Sequence, residues 1–167
     1  MRGVVVWVAE GTWPACVDAA RTIGDAEFTL LHVTGDDVAA AAHGAFAGLL
    51  GRGRHADPGA EVESLAVSAA ADLLAAAIER LGRPATTVER NGRVEREVVE
   101  ASAGADLLIC ARDGDRSRLG PHSLRPATRF VVDHAPCAVL LVWPEPAPGV
   151  ESIPPPPPHP MHTPRDF

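Results

Sequence analysis

Hydrophobic and polar positions along the chain follow two alternating patterns. Short apolar runs of strand length stand at residues 4–9, 27–33, 107–111 and 138–143. Runs that are nearly continuous in apolar residues are typical of strands buried on both faces of a parallel sheet. The segments between them repeat their apolar residues every three or four positions, as on one face of a helix. This alternation predicts an α/β domain built on an open parallel sheet with helices on both faces.

The helical pattern occurs in four segments, at residues 14–23, 61–81, 94–102 and 124–134. The second of these is expected to stop at Gly82. Its predicted inward positions are Val62, Leu65, Ala69, Leu73, Ala76, Ala77 and Leu81. A short alternating segment at residues 86–89 predicts a fifth strand at a sheet edge, and Asn91 with Gly92 predicts a turn after it.

Two segments fall outside this alternation. Residues 35–60 join an alanine-rich part, compatible with a short helix, to a glycine-rich loop. A functional lid and a disordered loop both remain open as interpretations of this segment. Residues 145–167 hold most of the prolines, including a run of five, which predicts a disordered or polyproline II tail. The predicted organisation is one domain at residues 1–144 followed by the tail.

The composition narrows the class of protein. A chain of 167 residues that is 46% hydrophobic and 22% charged fits one globular domain. Its net charge of -7 argues against nonspecific nucleic-acid binding, and 4% aromatic residues leave few stacking platforms. Cys16, Cys110 and Cys137 lack metal-binding spacing, and an odd number of cysteines fits reduced thiols. The run at residues 4–9 is too short for a membrane helix. We therefore expect a cytoplasmic protein without a nucleic-acid or membrane partner.

Catalytic motifs are missing from the sequence. It contains no Gly-x-Ser-x-Gly, no His-Glu-x-x-His and no Walker A pattern. Two tail histidines, His159 and His162, have no third metal ligand beside them. We predict no catalytic residue and no metal site, and hence a protein that is not an enzyme.

Positive charge is concentrated between the last two apolar runs. Five arginines lie there in an otherwise acidic chain, namely Arg112, Arg116, Arg118, Arg125 and Arg129. Ligands of open α/β sheets sit at loops that follow the carboxyl ends of strands, and backbone N–H groups near glycines bind anions. The alternative is a solvated basic loop whose arginines pair with Asp113, Asp115 and Asp133. The residues alone leave both interpretations open.

The same region carries a family resemblance. The strand Asp106-Leu-Leu-Ile and the segment His134-Ala-Pro-Cys137, with a glycine-containing loop and a helix between them, resemble the C-terminal half of a universal stress protein domain. The resemblance extends over residues 3–144. It implies a five-stranded parallel sheet of order 3-2-1-4-5, with a nucleotide site between the first and fourth strands.

The resemblance also implies candidate ligand residues. In the family, an acidic turn follows the first strand, the end of the second strand contacts adenine, and a glycine-rich loop holds the phosphates. Here the three glycine positions of that loop fall on Arg112, Asp115 and Arg125, and its Ser/Thr position falls on Pro126. The candidate nucleotide-binding residues are Glu10, Gly11, Thr12, Val33, Arg112, Gly114, Arg116, Gly120, Ser123 and Arg125. Thr12 is in addition the predicted N-cap of the first helix, and His32 is interpreted as a core or sheet-edge residue with one hydrogen bond.

These features predict a stress-response regulatory module with weak or absent ATP binding. The alternative is an ATP- or AMP-binding universal stress protein that uses residues 112–123. Because the last strand lies at a sheet edge in the family's order and is apolar, we expect a homodimer through residues 138–143.

Overall fold

The computed structural model describes residues 2–36 and 58–158. The short helix considered within residues 36–50, the glycine-rich loop and the last nine residues of the tail fall largely or wholly outside them. The described strands are β1 Arg2–Trp7, β2 Ala26–Gly35, β3 Ala85–Gly92, β4 Leu107–Ala111 and β5 Ala138–Val142. The α-helices found in the same part of the chain are α1 Trp13–Arg21, α2 Pro58–Leu81, α3 Val94–Ala101 and α4 Pro126–His134.

The five strands form one parallel sheet of order β3-β2-β1-β4-β5. This confirms both the fold class and the predicted strand order. β1 lies between β2 and β4, with Val4 opposite Leu107 and Val6 opposite Ile109. The carboxyl ends of β1 and β4 therefore meet at one edge of the sheet, where the order of connections reverses.

Two apolar layers bury the sheet, which explains its nearly continuous apolar strands. On one face, Val4, Val6 and Ile109 pack with residues of α1 and α2. On the other face, Val5 and Leu108 pack with residues of α3 and α4. Successive residues of β1 and β4 thus face opposite helix layers. Because both faces of these strands are buried, both must be apolar.

The buried face of α2 differs from the prediction. Leu65 is 67% exposed and Ala69 is exposed as well, whereas Ala70, Leu74 and Ala77 are buried. The predicted stripe was therefore wrong in the N-terminal half of this helix. Alanine is so frequent in α2 that several faces are almost equally apolar, and spacing alone does not select the buried one.

The predicted turn at Asn91 and Gly92 was also wrong. β3 does lie at the sheet edge, but it runs on to Gly92 instead of turning at Asn91. Asn91 and Gly92 pair with Thr34 and Gly35 of β2. Because β2 continues to Gly35, it offers backbone hydrogen-bonding partners as far as Gly92. This pairing outweighs the turn preference of an Asn-Gly pair.

The chain after β5 returns toward the β4–α4 loop. Val150–Ser152 forms a single turn of 3-10 helix, and the five prolines that follow are exposed. The domain boundary at residue 144 stays a prediction.

Candidate functional site

A tight turn follows β1 at the carboxyl edge of the sheet. The carbonyl of Ala9 accepts hydrogen bonds from the N–H groups of Thr12, at 3.3 Å, and Trp13, at 3.0 Å. Gly11 lies in this turn, and Glu10 is exposed at its outer side. Thr12 occupies the N-cap position of α1 as predicted, but its hydroxyl makes no capping hydrogen bond with the described residues. Thr12 is instead buried, which ties the turn to the domain interior.

A cavity of about 380 Å³ opens beside this turn. It lies between the ends of β1 and β2 and the helices α2 and α3, and its walls are mainly apolar. Glu10 and Val33, two of the candidate ligand residues, both line it. The structure therefore brings together the acidic turn and the end of the second strand. No residue of the β4–α4 loop is among the described residues that line this cavity.

His32 also lines the cavity, which the sequence interpretation missed. The expected single hydrogen bond is present, between Nδ1 and the carbonyl oxygen of Val8 at 2.8 Å. Because a carbonyl oxygen can only accept, Nδ1 carries a proton and donates it. The position of His32 just before Val33 was the available signal, since strand ends at this edge border the ligand side of the sheet.

The loop after β4, residues 112–125 and hereafter the arginine loop, folds back on itself. The N–H of Gly114 donates to the carbonyl of Ser123 at 2.9 Å, and the N–H of Asp115 donates to that of His122 at 2.8 Å. A Cβ on Gly114 would lie 2.3 Å from the carbonyl oxygen of His122. Gly114 is therefore required for the close approach of the two halves of the loop, rather than for approach to a ligand.

The far end of the arginine loop closes in the same way. Gly120 has a φ of 139°, and its carbonyl accepts hydrogen bonds from both the N–H and the hydroxyl of Ser123, at 3.2 and 2.7 Å. Ser123 is fully buried. The N–H of Leu124 donates to the carbonyl of Pro121 at 3.3 Å. Four backbone donors of the loop, those of Gly114, Asp115, Ser123 and Leu124, thus have partners inside the loop.

A carboxylate occupies the N-terminus of α4. The N–H of Arg125 donates to Oδ1 of Asp113 at 2.9 Å, and the hydroxyl of Thr128 donates to Oδ2 at 2.7 Å. Arg125 is the N-cap residue and its own side chain makes no capping hydrogen bond. A helix N-terminus favours a negative charge and is a common phosphate position. In this protein the negative charge there belongs to the chain itself.

The arginines do not pair with neighbouring aspartates as the basic-loop interpretation expected. Within residues 2–36 and 58–158, Arg116 with Glu145 is the one ion pair of the arginine loop. Asp115 bonds the N–H and the hydroxyl of Ser117, at 3.0 and 2.6 Å, and these bonds lower its pKa. Asp113 is engaged by α4. Backbone and hydroxyl donors therefore satisfy both aspartates, local ones at Asp115 and those of α4 at Asp113, which leaves the arginines to other partners.

Arg112 is held against the end of β5. Its guanidinium carbon lies 4.7 Å from the ring centroid of Trp143, and its Nη1 donates to the Ser123 hydroxyl. The Nε atom is buried and has no hydrogen-bond partner among the described residues. Cation–π stacking positions this charge without neutralising it.

The cysteines offer no nucleophile. Cys16 and Cys110 are completely buried, and burial raises the pKa of each thiol to about 12. Partial burial raises the pKa of Cys137 too. At neutral pH such thiols stay protonated and unreactive. The described residues also contain no group of three His, Cys, Asp or Glu side chains placed to hold a metal ion.

The sequence model of the Universal stress protein family matches residues 14–142, which is most of the chain. The chain belongs to this family. No curated protein matches it in sequence. Within the described part of this universal stress protein, no helix is both long enough and apolar enough to cross a membrane.

Solved structures share the fold. The structure of the hypothetical protein MJ0577 aligns with a TM-score of 0.65 at 16% identity, covering 87% of this chain and 98% of that one. Universal stress protein UspA from Lactobacillus plantarum gives 0.56 at 18% identity, over 84% and 97% of the two chains. A universal stress protein in complex with cAMP gives 0.57 at 17% identity, over 86% and 98%. At such identities the likeness extends to the fold alone.

Proposed function

We propose that this universal stress protein is a dimeric stress-response module that binds ATP weakly or not at all. The observation that carries the proposal is the Asp113 carboxylate at the N-terminus of α4, bonded to the Arg125 N–H and the Thr128 hydroxyl. A nucleotide phosphate at this position would have to displace a carboxylate that is covalently tethered nearby. A tethered group competes at high effective concentration, so a free anion is disfavoured.

The closed arginine loop supports the same conclusion. The N–H groups of Gly114 and Asp115 donate within the loop, and a ligand phosphate could use them only after those bonds had opened. Phosphate loops bind tightly because their backbone donors are free and preorganised. The arginine side chains could replace some of that affinity, but ordering them on a phosphate has an entropic cost.

The cavity lined by Glu10 and Val33 supports the alternative, an ATP- or AMP-binding protein that also uses residues 112–123. Its volume of about 380 Å³ and its apolar walls suit a small aromatic ligand. The universal stress protein solved with cAMP has the same fold. This alternative requires the arginine loop to open toward the cavity.

Dimerisation is proposed from the edge strand. β5 pairs with β4 on one side, and Leu140 in its centre is 38% exposed. An apolar strand with an unpaired edge is a template for another strand, and a second copy of the same strand satisfies it symmetrically. We therefore assign residues 138–143 as the proposed dimer contact.

Calorimetry with ATP and magnesium tests the nucleotide part of the proposal. We expect no binding tighter than about 100 μM, or roughly 5.5 kcal/mol. Asp113→Asn removes the competing charge and should bind ATP more tightly than the wild type. Asp133→Asn, which makes the same charge change near the other end of α4, should not. Co-purified ATP, or a submicromolar dissociation constant of the wild-type protein, would refute the proposal.

A further inference from the structure

The chain segment after β5 contacts the arginine loop at three points. We refer to residues 143–153 as the strap. The Trp143 ring lies under the Arg112 guanidinium, and Glu145 pairs with Nε of Arg116. The N–H of Leu119 donates to Oγ of Ser152 at 3.0 Å. The strap is thus fixed to the beginning and the middle of the loop.

The two arginines under the strap differ in whether a carboxylate pairs with them. Arg116 has a carboxylate partner on the strap, Glu145. No carboxylate of the described residues lies within 4.0 Å of the Arg112 guanidinium, and its buried Nε lacks a hydrogen-bond partner there. The side chain of Arg116 reaches back to the backbone of Arg112, since Nη1 of Arg116 donates to the carbonyl of Arg112 at 3.5 Å. The buried Nε is out of reach of a ligand, but a half-buried guanidinium without a carboxylate partner is suited to an anion with several acceptor oxygens.

We propose that Arg112 and Arg116 form an oligophosphate-binding site, and that Glu145 of the strap occupies the ligand's place on Arg116. The strap is then an internal competitor, and displacing Glu145 uncovers the site. The inference rests on the proposed function, because it assigns part of the weak nucleotide binding to a contact that can be released.

The way the strap is packed makes such release feasible. Glu145 is exposed, and Val150 and Ile153 are 77% and 57% exposed, so the strap beyond Trp143 buries little apolar surface. Exposed ion pairs contribute little to stability, and salt screens them. A multivalent anion can therefore exchange with Glu145 without unfolding the domain. The magnitude typical of such pairs corresponds to a change of about twofold to fivefold in affinity.

The test is calorimetric titration of the full-length protein with sodium tripolyphosphate at low ionic strength. Glu145→Ala should bind about twofold to fivefold more tightly than the wild type. Combining it with Ser152→Ala, which removes the second anchor, should increase the gain. Glu151→Ala is the matched control: it lies on the strap, changes the net charge equally, and makes no ion pair with the described residues of the loop. It should bind like the wild type. Adding Arg116→Ala to Glu145→Ala should abolish the gain.

Equal affinities of Glu145→Ala and Glu151→Ala would overturn the inference, since any gain in affinity would then come from the change in net charge alone. Weaker binding by Glu145→Ala would overturn it as well, because Glu145 would then support ligand binding instead of competing with the ligand. Absence of binding by every variant up to about 10 mM would also reject the site. Circular dichroism and thermal melting establish that each variant is folded. ATP titrated into the wild type tests the proposed function separately, and tight binding there contradicts that proposal whatever Glu145 does.

Discussion

At the scale of single residues, Asp113 determines the character of the site. α4 begins with Arg125 at its N-cap and Pro126 in its first turn, and it has no local side chain able to cap its free N–H groups. Asp113, twelve positions earlier, brings a carboxylate to this helix end and accepts hydrogen bonds from the N–H of the N-cap residue Arg125 and from the Thr128 hydroxyl. This contact was not predicted from the sequence, because capping rules apply to neighbouring residues. The missing local cap was the only signal that a more distant carboxylate would be needed.

We expect Asp113→Ala to reduce the free energy of unfolding by about 1–2 kcal/mol, since it removes a negative charge from the N-terminus of α4 and leaves the buried Thr128 hydroxyl without its acceptor. Asp113→Asn keeps an acceptor oxygen and should cost less. Urea denaturation measures both, with Asp133→Ala as an exposed control on the same helix. A loss no larger than that of the control would show that Asp113 does not stabilise α4.

The buried thiols predict a stability that depends on alkaline pH. Cys16 and Cys110 have folded-state pKa values of about 12, against an ordinary value of 9.0, because burial disfavours the thiolate. Above pH 9 these thiols lose protons only when the chain unfolds. The unfolded state then binds fewer protons than the folded state, so the contribution of these two thiols to stability is constant below pH 9 and falls between pH 9 and about 12.

The expected slope is about 1.4 kcal/mol per pH unit for each thiol. The chain contains neither tyrosine nor lysine, and Cys137, whose pKa is raised too, adds to the total slope but not to the difference that Cys110→Ala makes. Urea denaturation at several pH values between 8 and about 11 measures the slope. Cys110→Ala should lower it by about one thiol's share even if the variant is less stable overall. A slope that Cys110→Ala leaves unchanged would contradict this assignment.

At the scale of elements, apolar runs were sufficient for the sheet and insufficient for the helix faces. β4 was predicted with its observed bounds. A strand buried on both faces is apolar at every position, so its first and last residues can be read from the sequence. The buried face of α2 was predicted incorrectly, since alanine is small and marks an apolar helix face only weakly. The closing of the arginine loop depends on contacts between residues seven to twelve positions apart, such as Gly114 with Ser123, and no local propensity encodes them.

The corrected face of α2 can be tested with two leucines. Leu74 is buried, and Leu74→Ala should cost about 2–5 kcal/mol because it leaves a cavity beside the sheet. Leu65 is largely exposed, and Leu65→Ala should change stability by less than about 0.5 kcal/mol. Urea unfolding compares the two variants. Similar losses, or a larger loss for Leu65→Ala, would place the inward face where the apolar spacing had predicted it.

At the scale of the whole molecule, the order of the strands decides which surfaces can take partners. β3 and β5 are the two edges of the sheet. β3 is partly exposed and carries the polar residues Glu89, Arg90 and Asn91, and such edges resist pairing. β5 is apolar and only five residues long, with Leu140 at its middle. If two copies pair antiparallel about a twofold axis through this short strand, residue 140 lies close to its own symmetry mate.

This geometry makes a charge at residue 140 a direct probe of the dimer. Leu140→Lys would place two like charges near each other across the axis, and like charges opposite one another destabilise strand pairing. We expect the wild type to sediment at about twice the mass of the 17.5 kDa chain, and Leu140→Lys to sediment as a monomer. Leu65→Lys adds the same charge to an exposed leucine far from β5 in sequence and should leave the dimer intact. A wild-type monomer at micromolar concentration would remove the proposed contact altogether. A dimer that persists in a folded Leu140→Lys variant would move the interface away from β5, because a five-residue edge strand has no other register in which residue 140 avoids the partner strand.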